Sequence, residues 1–311
     1  MFRKIATVVL MSVISTHASS KYEPPNGQTL LIIGQDIDSI RTYLQDLGKV
    51  PAGFMSYTSL ENLEGLTTMA DPGGGVQFAQ PLVDEYPNTV WQLGLYLVGQ
   101  LEGINQGRYD ERIDKLGEWL RSTRRPVFLR IGYEFDLPAN KYDPQQYVKA
   151  YRRIVERFRK KGITNVAFVW HSYAQGQPER FMEWYPGDDY VDWVGASYFN
   201  QFPKFVKQVG DLASRLNKPF MLAETSSWHI KNDKQRSLFF ERMFAIIKEK
   251  NVKALSYINA DWDSQNMWKD LKFGDGRVQP YPEVLQLWEK ETSSPAFIKS
   301  SPSMFSMLGF E

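Results

Sequence analysis

Pro126-Val-Phe-Leu-Arg-Ile-Gly-Tyr-Glu134 is a nearly unbroken apolar run that ends in a carboxylate. Branched and aromatic residues in succession, with proline before them and glycine at the exit, suit a strand buried on both faces. Pro219-Phe-Met-Leu-Ala-Glu224 repeats the arrangement: proline, apolar residues, glutamate. Buried strands that deliver a polar side chain as they end are how a parallel α/β barrel presents its chemistry, at the C-terminal ends of its strands.

Six further runs share this character: Thr29–Gly34, Gly53–Thr58, Val90–Val98, Val166–His171, Val191–Tyr198 and Ala254–Asn259. With Val127–Gly132 and Phe220–Glu224 they make eight. Helical spacing fills several gaps. Asp110–Ser122 places Ile113, Leu116, Trp119 and Leu120 on one face. Asp143 followed by Pro144 is a cap residue with proline at the first helical position. The apolar face behind it runs through Tyr147, Tyr151, Ile154, Val155 and Phe158. Phe205–Leu216, Gln235–Lys250 and Pro282–Glu289 read similarly. Eight strands alternating with helices predict one (β/α)8 (TIM) barrel over residues 21–291. The span from Ser59 to Val90, with Asp71-Pro-Gly-Gly-Gly75, predicts a loop and one short helix. Residues 292–311, rich in serine and proline, read as a C-terminal extension.

Residues 1–20 carry Arg3 and Lys4, a short apolar stretch, then Thr16-His-Ala-Ser-Ser20. That order predicts a signal peptide and export. The stretch falls short of the roughly 20 apolar residues a membrane span requires, so no span is expected in the mature chain. Without Arg3 and Lys4 the net charge moves from +1 to −1, which offers no basic footprint for nucleic acid. There are no cysteines, so thiol catalysis and thiolate metal sites are excluded. A domain this long has no need of disulfides. Nine Trp and sixteen Tyr supply core and, at a cleft, flat faces for sugar rings.

Two carboxylates at strand ends are the minimum equipment for cleaving a glycosidic bond with retention. Glu134 lies among Tyr133, Phe135 and Tyr142, walls that would keep a carboxyl protonated as a general acid. Glu224 lies among Ala223, Thr225, Ser226 and Ser227, which leave room for a substrate and supply hydrogen bonds that keep a nucleophile ionised. Arg130 stands an even number of residues before Glu134 and is expected to point inward with it; a buried arginine needs an acid, and Glu224 is the expected partner. Tyr198 is a candidate donor to the nucleophile and Trp262 a candidate sugar platform. Gln35 with Asp36, and Trp170 with His171, are further strand-end candidates. No His-x-x-x-His, Gly-x-Ser-x-Gly, Gly-x-Gly-x-x-Gly or phosphate-loop pattern occurs, so zinc, serine-hydrolase and nucleotide chemistry have no support. No cofactor or metal is called for.

With these residues in place, the chain resembles family 26 of the glycoside hydrolases, retaining β-glycanases on a (β/α)8 barrel. The resemblance runs from about residue 29 to 290. It is carried by Pro126-Val-Phe-Leu-Arg-Ile-Gly-Tyr-Glu-Phe-Asp136, Tyr151-Arg-Arg-Ile-Val-Glu-Arg-Phe-Arg159, Asn165-Val-Ala-Phe-Val-Trp170, Tyr185-Pro-Gly-Asp-Asp-Tyr-Val-Asp-Trp-Val-Gly195 and Lys218-Pro-Phe-Met-Leu-Ala-Glu-Thr225. It implies that Glu134 is the acid/base, Glu224 the nucleophile, Tyr198 its hydrogen-bond partner, and Trp262 an aromatic platform. The chain departs from the family's mannanases in having Tyr133 where they have histidine, and Gly34-Gln-Asp36 where they carry Gly-His-Gln. That wording is nearer to the β-1,3-xylanase branch. The expectation is thus a secreted endo-β-glycanase acting on β-1,3-xylan or β-mannan. A non-catalytic carbohydrate-binding barrel is the competing expectation, and a metal-dependent hydrolase on a similar barrel a third.

Overall fold

The structure is a computed structural model that describes residues 20–176 and 178–311. The expected leader, except Ser20, lies outside the described residues. Eight strands occur where the apolar runs predict them: β1 Thr29–Gly34, β2 Gly53–Ser59, β3 Val90–Tyr96, β4 Val127–Ile131, β5 Val166–Ser172, β6 Trp193–Tyr198, β7 Phe220–Thr225 and β8 Ala254–Ile258. Each pairs in parallel with the next, and β8 pairs with β1, which also pairs with β2. The sheet is therefore a closed barrel. Helices cover its outside: α1 Ile37–Leu47, α2 Ala79–Glu85, α3 Leu101–Asn105, α4 Asp110–Ser122, α5 Pro144–Lys160, α6 Pro178–Phe181, α7 Pro203–Arg215, α8 Asp233–Glu249 and α9 Pro282–Thr292.

The apolar runs are continuous because each strand serves two cores. In β1, Leu30 and Ile32 fill the barrel interior while Leu31 and Ile33 meet the helices. In β4, Phe128 points in, and Leu129 and Ile131 point out. Local signals set the helix starts. The Asp143 carboxylate accepts the Gln146 amide at 2.9 Å with Pro144 behind it, and Asp36 caps α1 through the Ser39 amide at 2.9 Å. Each such cap contributes about 1 kcal/mol.

The C-terminal extension is not a separate appendage. Phe297–Ile298 forms a short ninth strand, β9, parallel to β1. Met304 and Leu308 are buried in the barrel's interior cluster. The Phe310 ring lies 5.9 Å from Tyr22, whose edge meets Phe128 at 6.2 Å, and Phe128 packs on Trp193 at 5.0 Å. Phe128 and Trp193 stand at the start of their strands, so the tail and Tyr22 stopper the N-terminal end of the barrel. The opposite end stays open to polar groups. No helix among the described residues is long and apolar enough to cross a membrane.

Candidate active site

At the C-terminal end, apolar filling gives way to Gln92, Arg130, His171, Ser197, Glu224 and Ser256, all buried. Arg130 has no exposed surface and forms an ion pair with Glu224. Its guanidinium carbon also lies 5.0 Å from the Tyr57 ring and 5.1 Å from the Tyr133 ring. Burial alone would weaken its hold on the proton, but Glu224 and Tyr57 reverse that, and the guanidinium is held charged more tightly than usual. The pair supplies the buried guanidinium with its counter-charge.

Glu134 reaches the same region by a different route. Gly132 takes φ 57°, a left-handed turn in which any Cβ would meet the Tyr147 ring at 2.9 Å. Glu134 itself has φ 53°, a conformation that non-glycine residues hold only where the surroundings impose it. Those surroundings are present. Asn140 Nδ2 donates to the Glu134 carbonyl at 2.9 Å, the Phe135 amide donates to the His171 carbonyl at 3.1 Å, and the Asp136 carboxylate accepts the Tyr173 amide at 2.6 Å and the Ser172 hydroxyl at 3.0 Å. Burial lifts Asp136 to about 6 against these hydrogen bonds. The Glu134 carboxyl is pushed well above the ordinary range, first by burial and then by the charge of Glu224, with the Ser197 hydrogen bond opposing. The two carboxyls therefore sense each other from unlike environments, one poised to keep its proton and one paired with a cation.

A hydrogen-bonded chain links them. Arg130 Nη1 lies 3.4 Å from His171 Nδ1, and a guanidinium can only donate. His171 Nδ1 is then the acceptor and Nε2 carries the proton, which it donates to Ser197 Oγ at 2.9 Å. The Ser197 hydroxyl donates in turn to Glu134 Oε1 at 2.6 Å. Burial and the neighbouring Arg130 keep His171 well below its usual pKa, hence neutral, as this chain requires.

Strand β7 achieves its part through an irregularity. Ala196 pairs with Leu222 but Ser197 pairs with Glu224, and on the other side Leu222 pairs with Leu255 but Thr225 with Tyr257. One residue is extra on β7, a β-bulge. Strict alternation would send Glu224 outward after inward-facing Ala223; the bulge lets both face in.

The remaining sequence candidates divide. Tyr133 lines the site, its ring 5.5 Å from Tyr57, 6.3 Å from Tyr96 and stacked at 6.4 Å on His171. Burial and then the Glu224 charge push both the Tyr133 and Tyr57 phenols far up, so both stay neutral. Trp262 sits at the barrel mouth with Nε1 donating to Ser226 Oγ at 2.9 Å, edge-on to Trp228 and Phe273. It is 3% exposed, so its neighbours present more face than it does. Gln35 Nε2 donates to the Gly74 carbonyl at 3.2 Å and to Gln265 at 3.3 Å, tying three loops together. His171 is fully buried within the chain just described, with no surface to offer a substrate.

Two candidates are corrected by the alternation of side chains. Tyr198 lies one residue past inward-facing Ser197, so it points outward and stacks on Phe239 of α8 at 5.0 Å. It does not reach Glu224. Trp170, one residue before inward-facing His171, also points outward, stacked 4.5 Å from Phe135 with Nε1 on the Trp184 carbonyl. Sequence reasoning missed Tyr57, Ser197, Gln92 and Asp136. Ser197 and Tyr57 were findable by counting alternate residues from the strand starts; Gln92 announces itself as the lone amide inside an apolar run. Among the described residues no cluster of three His, Cys, Asp or Glu could hold a metal.

A (β/α)8 barrel with two carboxyls gathered at its C-terminal mouth defines a class, the glycosidase barrels. Comparison narrows it: the profile of Glycosyl hydrolase family 26 matches residues 86–272, and the chain belongs to that family. It is 32% identical to Beta-1,3-xylanase TXYA of a Vibrio species, over 99% of this chain and 75% of that protein. It is equally 32% identical to a Beta-1,3-xylanase of an Alcaligenes species, over 99% of this chain and 74% of that one. Among solved structures, the family 26 β-mannanase of Bacteroides ovatus superposes with TM-score 0.64 at 15% identity, over 88% of this chain and 91% of that one. The chain is accordingly a glycoside hydrolase of the endo-glycanase type.

Proposed function

We propose that this protein is a secreted, retaining endo-β-1,3-xylanase that uses Glu134 and Glu224 in a double displacement. One observation carries the mechanism: at one barrel mouth, one carboxyl is pushed to hold its proton while the other faces a fully buried guanidinium. Glu224 attacks the anomeric carbon and forms an ester-like bond to it as the glycosidic C–O bond breaks. Glu134 gives its proton to the departing oxygen. Glu134, now a carboxylate, takes a proton from water, whose oxygen attacks the same carbon and releases Glu224. Arg130 holds Glu224 aimed through their ion pair, and the His171–Ser197 chain fixes the face of Glu134. The choice of β-1,3-xylan over β-mannan rests on the two xylanases matched along nearly the whole chain and on Tyr133 standing beside Tyr57 and Tyr96 at the cleft. The Arg3/Lys4 start and apolar stretch support export.

Purified protein incubated with β-1,3-xylan, β-mannan, β-1,4-xylan and β-glucan should release reducing ends mainly from the first. NMR should show the β-anomer of the new end before mutarotation. Binding without release, or an α-anomer as first product, overturns the reading.

A further inference from the structure

We infer that Gln92, on the far wall of the barrel, is a positioning residue for the nucleophile, acting by locking the β7 bulge. The inference rests on Glu224 being the nucleophile. A bulge leaves the extra residue without its ladder partner, and here that residue is Ala223, immediately before Glu224. The Ala223 carbonyl is instead capped by Gln92 Nε2 at 2.7 Å. Gln92 is on β3, four strands away around the barrel, so the bond spans the interior. Gln92 is fully buried.

Its orientation is determined by its partners. A carbonyl only accepts, so the amide must present its NH2 to Ala223, leaving Oε1 for the Ser256 hydroxyl, which donates at 2.6 Å. Nε2 also touches Met55 Sδ at 3.0 Å, the atom that Arg130 Nη2 contacts at 3.3 Å. Ser256, Gln92 and the bulge thus form a brace behind Glu224, while Arg130 fixes it in front. Without the brace, β7 would regain register with its neighbours by turning Glu224 towards the helices. A misplacement of about 1 Å at a reacting group is enough to cost on the order of 100-fold in rate.

The experiment measures the rate at which 2-deoxy-2-fluoro-β-1,3-xylobiosyl fluoride labels the folded enzyme, with the labelled peptide located by mass spectrometry. Gln92→Met keeps length but loses the donor, and should slow labelling roughly 10- to 100-fold while the dissociation constant for β-1,3-xylobiose changes less than threefold. Ser256→Ala, which frees the amide to turn, should give a smaller loss in the same direction. Gln92→Glu regains a donor only when protonated, so its rate relative to wild type should rise as pH falls. Labelling of folded Gln92→Met at the wild-type rate overturns the inference. If that variant does not fold, a pH-independent ratio for Gln92→Glu together with wild-type labelling by Ser256→Ala does so. Failure of the underlying reading is distinguishable, because wild-type protein would then be unlabelled or labelled at a residue other than Glu224.

Discussion

Arg130→Met and Glu224→Leu, made singly and together, test whether the ion pair at the barrel mouth is coupled as its burial implies. Arg130 has no exposed surface and the Glu224 side chain is 8% exposed, so either left alone is a charge stranded in the interior. Removing one partner of a buried pair costs about 3–5 kcal/mol, whereas exchanging both for apolar groups of similar volume is often neutral. In a domain of this size 1 kcal/mol moves the melting temperature by about 2 °C. Each single variant should therefore melt roughly 6–10 °C below wild type. Arg130→Met should lose about 0.5–2 kcal/mol more, because its guanidinium lies over the Tyr57 and Tyr133 rings at 5.0 and 5.1 Å. That loss recurs in the double variant and cancels from the coupling, as does the relief of Glu134 when Glu224 is removed. The double variant should melt above the lower-melting single. Four thermal unfolding curves by circular dichroism, at one pH and salt concentration, supply the cycle. A double variant whose loss equals the sum of the singles would refute the coupling, and with it the account of how Arg130 holds Glu224.

Glu134→Gln should lower turnover of polymer by about 10²- to 10⁴-fold yet raise the melting temperature near neutral pH. The folded state holds the Glu134 proton above its ordinary value of 4.5, so wild type loses stability as pH rises from about 4.5 through the folded value, and the amide variant does not. The gain should vanish below about pH 4, as melting curves across pH will show; an equal gain at every pH contradicts it. Ser197→Ala removes the hydrogen bond that opposes proton retention by Glu134. The alkaline limb of its pH–rate profile should shift upward, whereas a downward shift would break the proposed chain. Deleting residues 293–311 removes Phe297, Ile298, Met304 and Leu308, all buried, at about 1.5–3 kcal/mol each. That approaches the whole stability of a typical domain, so little folded protein should accumulate; a truncated form melting within a few degrees of full length would show the tail to be dispensable.

Much of the barrel is legible in the chain because each strand is apolar on both faces, and such runs stand out from the helices between them. Glu134 and Glu224 are legible because each is the first charge after its run. What decides inward from outward is harder to read. Arg130 and Glu134 share parity, yet Glu134 lies beyond the strand and is aimed by the turns at Gly132 and at itself. Tyr198 misleads because the serine beside it, not the aromatic, has the inward parity. Glu224 would have been sent outward by the same counting, since a bulge leaves no mark in a run of small residues. The tail misleads by composition: its serines and prolines mask Ile298, Met304 and Leu308, which join the barrel's interior cluster, and Phe297, which packs on Phe244 of α8.

The contact between Tyr22 and Phe310 makes the described chain almost a loop in the topological sense. Both ends emerge beneath the floor of the barrel, on the pole away from the sugar cleft. A bridge of a few residues would join them, and new ends opened in a connection on that same pole would leave the order of strands around the ring and the reacting mouth untouched.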